Sequence, residues 1–192
     1  MIKLGTALRN IGWLSFWSQL VLTLVSAVIL LFSTGVTSAR GSLSINPIDA
    51  CTLGAVAAGI ITTGLSWTWI RVGRRLASFQ DVRLQQCVGS VLASTNLNLI
   101  GMGAAILGLQ ATVGGLVAKT LSTAAGGYYG PRAVQPPVAF DVFSVQACAN
   151  SIMAHFAGLV LGQWLLRILN RYVQKMDDIT LVKQPPSMPY PQ

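Results

Sequence analysis

The sequence contains very little negative charge. It has no glutamate and only five aspartates against 13 lysines and arginines, and charged residues make up 9% of its 192 residues. Soluble domains carry roughly 25% charged residues, so the composition predicts an integral membrane protein. The net charge of +8 does not indicate nucleic-acid binding. The basic residues cluster just outside apolar runs, where membrane topology and anionic lipid head groups account for them.

Residues that build catalytic and metal sites are scarce too. His155 is the single histidine, and Cys51, Cys87 and Cys148 lie far apart without a CxxC pair. This spacing fits neither a zinc site nor a disulfide framework. There is no phosphate-binding loop and no Ser/His/Asp arrangement, so we predict that the chain is not an enzyme and binds no cofactor. A lone buried histidine is usually a hydrogen-bonded structural group, but an ionisable residue inside a membrane can also mark a pathway.

Long charge-free runs predict four membrane-spanning helices, since a bilayer needs about 20 apolar residues. The predicted spans are residues 11–36, 50–70, 88–112 and 142–166, in one all-α membrane domain, a four-transmembrane-helix bundle. The proline-rich residues 184–192 predict a disordered tail. Ten of the 13 basic residues lie at the two termini or in the 71–86 segment. Because cytoplasmic segments carry the excess of lysine and arginine, both termini are predicted on the cytoplasmic or stromal side.

The longest charge-free run, residues 84–118, surrounds the third span. Its small and polar residues form two stripes at helical spacing, the first Asn96, Gly103, Gln110 and Gly114, and the second Asn98, Gly101, Ala105 and Thr112. Two such stripes predict a central helix with protein neighbours on at least two sides. Gly114 and Gly115 predict the end of this helix. Residues 116–125 would then form a surface extension, a short second helix or a re-entrant half-helix.

Polar residues inside the predicted spans are the candidates for a transport pathway. A cation there would meet amide, imidazole and carbonyl ligands, which can pass it on through weak contacts but cannot hold it tightly. The candidate pathway residues are Asn96, Asn98, Gln110, Gln146, Asn150 and His155. Asp49 and Asp141, on the same predicted side, would concentrate cations at the entrance.

Other small and polar residues predict helix packing. Glycines allow membrane helices to approach closely, and the candidates are Gly101, Gly103, Gly108, Gly158 and Gly162, of which the last two form a GxxxG pair. In the first span, polar side chains at Ser15, Ser18, Gln19, Thr23 and Ser26 predict hydrogen bonds between helices.

Three segments carry a resemblance to a known family. They are GWLSFWSQLVLTLVSAVILLFS, NLIGMGAAILGLQATVGGLVAKTL and AFDVFSVQACANSIMAHFAGLVLG. Together they resemble the small Tic inner-envelope subunit, also called the permease in chloroplasts, a family with cyanobacterial members. The likeness covers roughly residues 8–167. No transit peptide is evident, which favours a cyanobacterial source. The expected location is therefore a cyanobacterial inner or thylakoid membrane, or else the chloroplast inner envelope.

The resemblance implies one of two functions. The first is transport of a metal ion, iron, across the inner membrane, with iron as the transported species. The alternative is a structural or channel-associated subunit of a protein-import complex or another membrane complex. The expected partners are the lipid bilayer and either further copies of the chain, as a homo-oligomer, or the subunits of a larger membrane complex.

Overall fold

Four long helices make up the described part of the protein. A computed structural model describes residues 2–38, 47–78, 82–127 and 139–183, and the regular elements in these ranges are α1 (Ile2–Ser38), α2 (Pro47–Ala77), α3 (Leu84–Gly127) and α4 (Ala139–Lys183). Each helix contains a stretch that is long and apolar enough to cross a membrane. The predicted all-α membrane fold is therefore confirmed. The predicted side of the termini remains a prediction, and the predicted tail, residues 184–192, lies outside the described residues.

Turn chemistry at the start and basic residues at the end mark the limits of α2. Helix α2 begins at Pro47, and proline suits the first position of a helix because its missing N–H has no partner there. Its last turn carries Arg74 and Arg75, outside the apolar stretch. The 44 residues of α3 reach about 66 Å at ~1.5 Å per residue, against ~30 Å of hydrocarbon. All four helices thus extend beyond the membrane core.

Helix α3 does not end at Gly114 and Gly115, so this prediction was wrong. It continues without a break to Gly127, and residues 116–125 are neither a separate helix nor a re-entrant half-helix. A glycine in a helix interior costs about 1 kcal/mol, which the absence of competing water in a membrane can offset.

The helices pack in the order of the chain around the bundle. Helices α1 and α2, α2 and α3, α3 and α4, and α4 and α1 lie side by side, and α2 also touches α4 across the centre. Within the described ranges, α1 and α3 do not touch. The larger apolar core of the described residues lies where the N-terminal parts of α1 and α3 meet the C-terminal halves of α2 and α4. It includes Leu4, Leu8, Trp69, Val91, Leu161, Leu165, Leu166 and Leu169.

An aromatic cluster flanks that core on the outside. Trp13, Phe16 and Trp17 of α1 contact one another. Trp67 of α2 meets Trp13 edge-on and Phe16 at a tilt, at ring-centre distances of 6.0 and 5.3 Å. The Arg71 guanidinium lies 5.8 Å from the Trp67 ring centre. Tryptophan beside arginine is typical of the membrane–water interface, which places this level of the bundle near the basic side.

The two stripes predicted on α3 have opposite environments. Asn98, Gly101 and Ala105 of the second stripe are buried and Thr112 is half-buried, whereas all four residues of the first stripe are exposed. Helix α3 also has the smallest buried share of the four spans. The prediction of a central helix with neighbours on two sides was therefore wrong for this single chain, because α2 and α4 cover only one side of α3.

Candidate functional site

A polar centre lies inside the bundle where α2, α3 and α4 meet. His155 of α4 and Asn98 of α3 are both fully buried, and the His155 Nδ1 lies 3.0 Å from the Asn98 Oδ1. The other ring nitrogen, Nε2, lies 3.0 Å from the carbonyl oxygen of Ala55 in α2. One imidazole therefore connects three helices.

One hydrogen-bond partner shows where this imidazole carries a hydrogen. A backbone carbonyl can only accept, so the His155 Nε2 carries a hydrogen and donates it to the Ala55 oxygen. A charged ring would be costly at this depth, where no carboxylate is among the described buried residues, so we assign the neutral ring. Nδ1 then accepts, and the Asn98 amide is assigned with its NH₂ group toward Nδ1, an orientation that heavy-atom positions alone do not distinguish. This assignment holds the neutral ring at both nitrogens, with its lone pair engaged by Asn98.

Two glycines make room for this centre. A methyl group at Gly101 would overlap the His155 ring, and one at Gly158 would lie 2.5 Å from the Asn98 Nδ2. Helices α3 and α4 can therefore approach this closely only because these residues lack a side chain. Gly108 and Gly162 lie at similar contacts, against Thr52 and Thr95 respectively.

Gly103 differs from the other glycines predicted to pack helices. It is exposed, and a methyl group there would have no heavy atom within 4 Å in the described structure. Its predicted packing role is thus not fulfilled within the bundle, because it points away from both α2 and α4.

Polar groups continue from the centre in both directions. On one side, the Thr52 Oγ1 and the Cys148 Sγ are 3.5 Å apart between α2 and α4. On the other side, Asn98, Ser94 and Ser90 follow each other at four-residue spacing, on one face of α3. The Ser94 hydroxyl is buried and has no hydrogen-bond partner among the described residues.

This row of polar groups ends at a cavity near the basic side. The cavity has a volume of about 370 Å³, and its lining includes Ser90, Trp69, Cys87, Arg75 and Arg83. The Trp69 indole Nε1 is buried and, within the described ranges, unpartnered. Buried polar groups usually have partners, so Ser94 and Trp69 mark a stretch of the interior able to offer hydrogen bonds to a small guest.

A second polar cluster joins α1 to α2. The Gln19 Nε2 donates to the Ser15 Oγ at 2.7 Å and to the Ser66 Oγ at 3.2 Å, while the Thr62 hydroxyl donates to the Gln19 Oε1 at 2.7 Å. The Ser26 hydroxyl donates to the Ala147 carbonyl of α4 at 2.9 Å. The Ser15 Oγ also lies 3.0 Å from the Ser66 Oγ of α2. The helix-to-helix hydrogen bonds predicted for α1 are therefore confirmed at Ser15, Gln19 and Ser26.

Ser18 and Thr23 behave differently from those residues. The Ser18 hydroxyl donates to the Leu14 carbonyl of its own helix at 2.8 Å. The Thr23 hydroxyl is buried and has no partner in the described part of the chain. The helix-to-helix bond predicted for Ser18 was therefore wrong, because its own backbone satisfies the hydroxyl.

The structure gathers only Asn98 and His155 of the six predicted pathway residues. Asn96 and Gln110 are exposed on the opposite side of α3. Gln146 is exposed and donates to the half-buried Asn150 along α4, with its Nε2 3.2 Å from the Asn150 Oδ1. These four residues do not reach the polar centre. Asp49 and Asp141, predicted to attract cations, lie in α2 and α4, but their side chains are outside the part of the structure that is described.

One hydrogen-bonding group of the site cannot be recognised from the sequence. The Ala55 carbonyl is one of many backbone acceptors, and whether it binds the imidazole depends on which helix faces His155. Ser94 and Ser90 do show a signal, since they continue the Asn98 face at four-residue spacing. Among the described residues, no three His, Cys, Asp or Glu side chains come together.

The chain is similar to known proteins over most of its length. The model of a family described as "Protein of unknown function (DUF3611)" matches residues 1–170. Protein TIC 21, chloroplastic, of Arabidopsis thaliana is 39% identical over 176 residues, which cover 86% of this chain and 57% of that protein. The chain thus spans less than two thirds of that relative's length. No solved structure matches the chain. The identity to TIC 21 confirms the resemblance carried by the three segments, and the chain belongs to the Tic21-like family described as DUF3611.

Proposed function

We propose that this integral membrane protein transports a metal cation, with iron as the species that the family resemblance implies. The observation that supports this proposal is the buried row of polar groups from Thr52 and Cys148, through Asn98 and His155, to Ser94. Buried polar and ionisable groups are expensive inside a membrane and often mark an ion path. The proposed setting is the chloroplast inner envelope or the corresponding cyanobacterial inner or thylakoid membrane.

The ligand types of the polar centre suit a cation of intermediate hardness. Imidazole nitrogen, amide oxygen and carbonyl oxygen all bind first-row divalent ions, and the absence of a carboxylate from the described centre keeps such binding weak. Weak, successive sites favour passage, because an ion must leave each site as easily as it arrives. The transported ion would be handed from one neutral group to the next.

In this proposal the observed structure is closed to the ion at His155, because hydrogen bonds already engage both ring nitrogens. The Asn98 amide engages the Nδ1 lone pair, and the Ala55 carbonyl engages Nε2. A passing ion would have to displace one of these partners, most simply the Asn98 side chain, before it could bind the imidazole. Opening would then require a small separation of α3 from α4 at the glycine contacts.

The charges at the two ends of the proposed path differ in sign. Asp49 and Asp141 would concentrate cations at one end, as expected from the sequence. Arg75 and Arg83 line the cavity at the other end, where their positive charge lowers the local concentration of cations. With the basic segments on the cytoplasmic or stromal side, the acidic end would face the opposite compartment, and the electrochemical gradient of the cation would set the direction of net transport.

Iron uptake into liposomes containing purified protein tests the proposal. Ser94→Ala is the decisive variant: it removes a polar step, but its hydroxyl has no partner to lose, so folding should be unaffected. We expect slower ferrous-ion uptake with Ser94→Ala and His155→Ala. Uptake should be unchanged with Asn96→Leu, which alters an amide on the exposed side of α3. Equal uptake by all three folded variants would refute the path.

A second candidate function is that of a subunit in a protein-import or other membrane complex. The uncovered side of α3 favours it, since a helix with two polar stripes has only one of them satisfied inside the chain. Purification in a gentle detergent separates the candidates. A stable foreign partner without metal flux would support the subunit role, whereas flux by the purified protein alone would support transport.

A further inference from the structure

The uncovered side of α3 carries a seven-residue repeat. The middle of this side is a line of small and amide residues, all exposed: Gly89, Asn96, Gly103 and Gln110. We call it the outer line. Two rows of mostly large apolar residues flank it, and all of them are exposed: Leu92, Leu99, Ile106 and Val113 on one side, and Ala93, Ile100, Leu107 and Gly114 on the other.

Asn96 of the outer line lies at a depth where lipid cannot satisfy its amide. It is 13 residues beyond Arg83, which is about 20 Å along the helix, and therefore lies well within a hydrocarbon layer ~30 Å thick. Gln110 is about 21 Å farther, about 40 Å from Arg83, which places it at the opposite interface. In the described part of the chain, neither amide has a hydrogen-bond partner. An amide without a partner in hydrocarbon, as at Asn96, costs several kcal/mol.

The repeat has the geometry of a helix pair. A pattern that recurs every seven residues faces one neighbour continuously when two helices cross at a small left-handed angle, as most membrane helix pairs do. Glycines at the middle of the line allow close approach, and the apolar rows on both sides would seal the contact. Amides on the line would then form hydrogen bonds between the helices.

The partner that fits this line best is an identical helix. Copies of one chain insert in the same orientation, so each amide of the outer line meets its own counterpart at the same depth. An amide carries both donors and an acceptor and can therefore pair with itself. A different protein would need two amides at these two depths, about 21 Å apart.

We propose that two copies of this chain associate through α3, side by side and in the same orientation, along the outer line. This proposal does not depend on the transport function. It concerns the side of α3 opposite to Asn98, and it would hold equally for a subunit of a larger complex.

Disulfide formation between copies tests the proposal directly. In liposomes containing purified protein with Cys51→Ala, since Cys87 and Cys148 are buried, we would introduce Gly103→Cys and oxidise. A covalent dimer is expected. The matched control is Phe156→Cys, which is exposed on α4 and should give no dimer.

Two further positions check the period. Gln110→Cys, on the outer line, should also yield the dimer, and Ile106→Cys, on a flanking row, should yield less. Equal yields at all positions, or no yield above that of Phe156→Cys, would overturn the proposal. So would crosslinking of Gly103→Cys to another protein in native membranes without a dimer in the liposomes.

The amides can be tested without cysteines. Asn96→Leu should weaken self-association about threefold to tenfold in a dilution assay in bilayers, the range expected for hydrogen bonds between membrane helices. Asn96→Gln, which keeps the amide, should retain most of the association. If Asn96→Leu associates as tightly as the unaltered chain, the amides do not pair between copies and the proposed contact is wrong.

Discussion

Asn98 and Asn96 are two residues apart on α3 and have opposite environments. Asn98 is fully buried and engages His155, whereas Asn96 is exposed on the outer line. The same contrast separates Gly101, which meets the imidazole ring, from Gly103, which meets nothing within the described chain. One helix thus presents one satisfied polar side and one unsatisfied polar side. A polar residue in a membrane helix therefore indicates a neighbour, but the neighbour can be another molecule.

The difference has a physical origin in the lipid environment. In water, an exposed amide is solvated and conveys nothing about packing. In hydrocarbon, the amide has no solvent partner, so both the inner and the outer amides of α3 call for a hydrogen bond from protein. The hydrogen bond of Asn98 specifies how α2, α3 and α4 pack together. The hydrogen bond that Asn96 requires specifies which further helix packs against α3.

The largest expected effect comes from filling the two glycine positions. Gly101→Leu should destabilise the folded protein by about 3 kcal/mol or more, because its side chain overlaps the imidazole and forces α3 from α4. Gly103→Leu should leave the stability of the single chain within ~0.5 kcal/mol. Unfolding in detergent, followed by circular dichroism, measures both. Equal losses would mean that the two sides of α3 do not differ.

Replacing the two asparagines gives the next largest contrast. Asn98→Leu removes the donor to the His155 Nδ1 and leaves a buried polar nitrogen unsatisfied, so a loss of about 1–3 kcal/mol is expected. Asn96→Leu should cost nothing in the isolated chain, since the amide has no partner there. The same unfolding assay, at detergent concentrations that keep the protein monomeric, distinguishes them. An unaffected Asn98→Leu would show that the polar centre does not stabilise the fold.

A smaller effect is expected from the cluster between α1 and α2. Gln19→Leu removes hydrogen bonds with Ser15, Ser66 and Thr62 but keeps the volume of the side chain. We expect a loss of about 1–2 kcal/mol, since each hydrogen bond between membrane helices contributes roughly 0.6 kcal/mol. Gln146→Leu, on an exposed surface, is the matched control and should be nearly neutral. A neutral Gln19→Leu would indicate that water replaces these bonds.

The smallest expected effect is at a single hydroxyl. Ser26→Ala removes the hydrogen bond to the Ala147 carbonyl, which links α1 to α4. A loss of about 0.5–1 kcal/mol is expected, detectable as a small shift of the thermal midpoint. A loss as large as that of Asn98→Leu would show that the α1–α4 contact, and not the polar centre, dominates the packing.

The sequence predicts the positions of the helices better than the contacts between them. Charge-free runs locate the four apolar stretches. Helical spacing also predicts both stripes of α3. Spacing cannot show which stripe meets protein, because it describes one helix and not the rotation of its neighbours. That is why Gln110 and Asn96 were grouped with Asn98, and why the central position of α3 was predicted in error.

The polar centre was predictable in part for the same reason. His155 and Asn98 were both candidates, but their pairing depends on how α3 and α4 are rotated against each other. Ala55 contributes only its backbone carbonyl, a group that every residue has, so the sequence does not distinguish it. The glycines at 114 and 115 led to the opposite error, since glycine interrupts helices in water more readily than in a membrane.

The protonation state of His155 is the most direct test of the polar centre formed with Asn98 and Ala55. Because this is the single histidine of the chain, nitrogen-15 NMR of histidine-labelled protein in bilayers reports on it alone. We expect a neutral ring with hydrogen on Nε2 and an Nδ1 that accepts a hydrogen bond. In Asn98→Leu, the Nδ1 signal should change. A ring protonated at both nitrogens, or an Nδ1 signal insensitive to Asn98, would contradict this expectation.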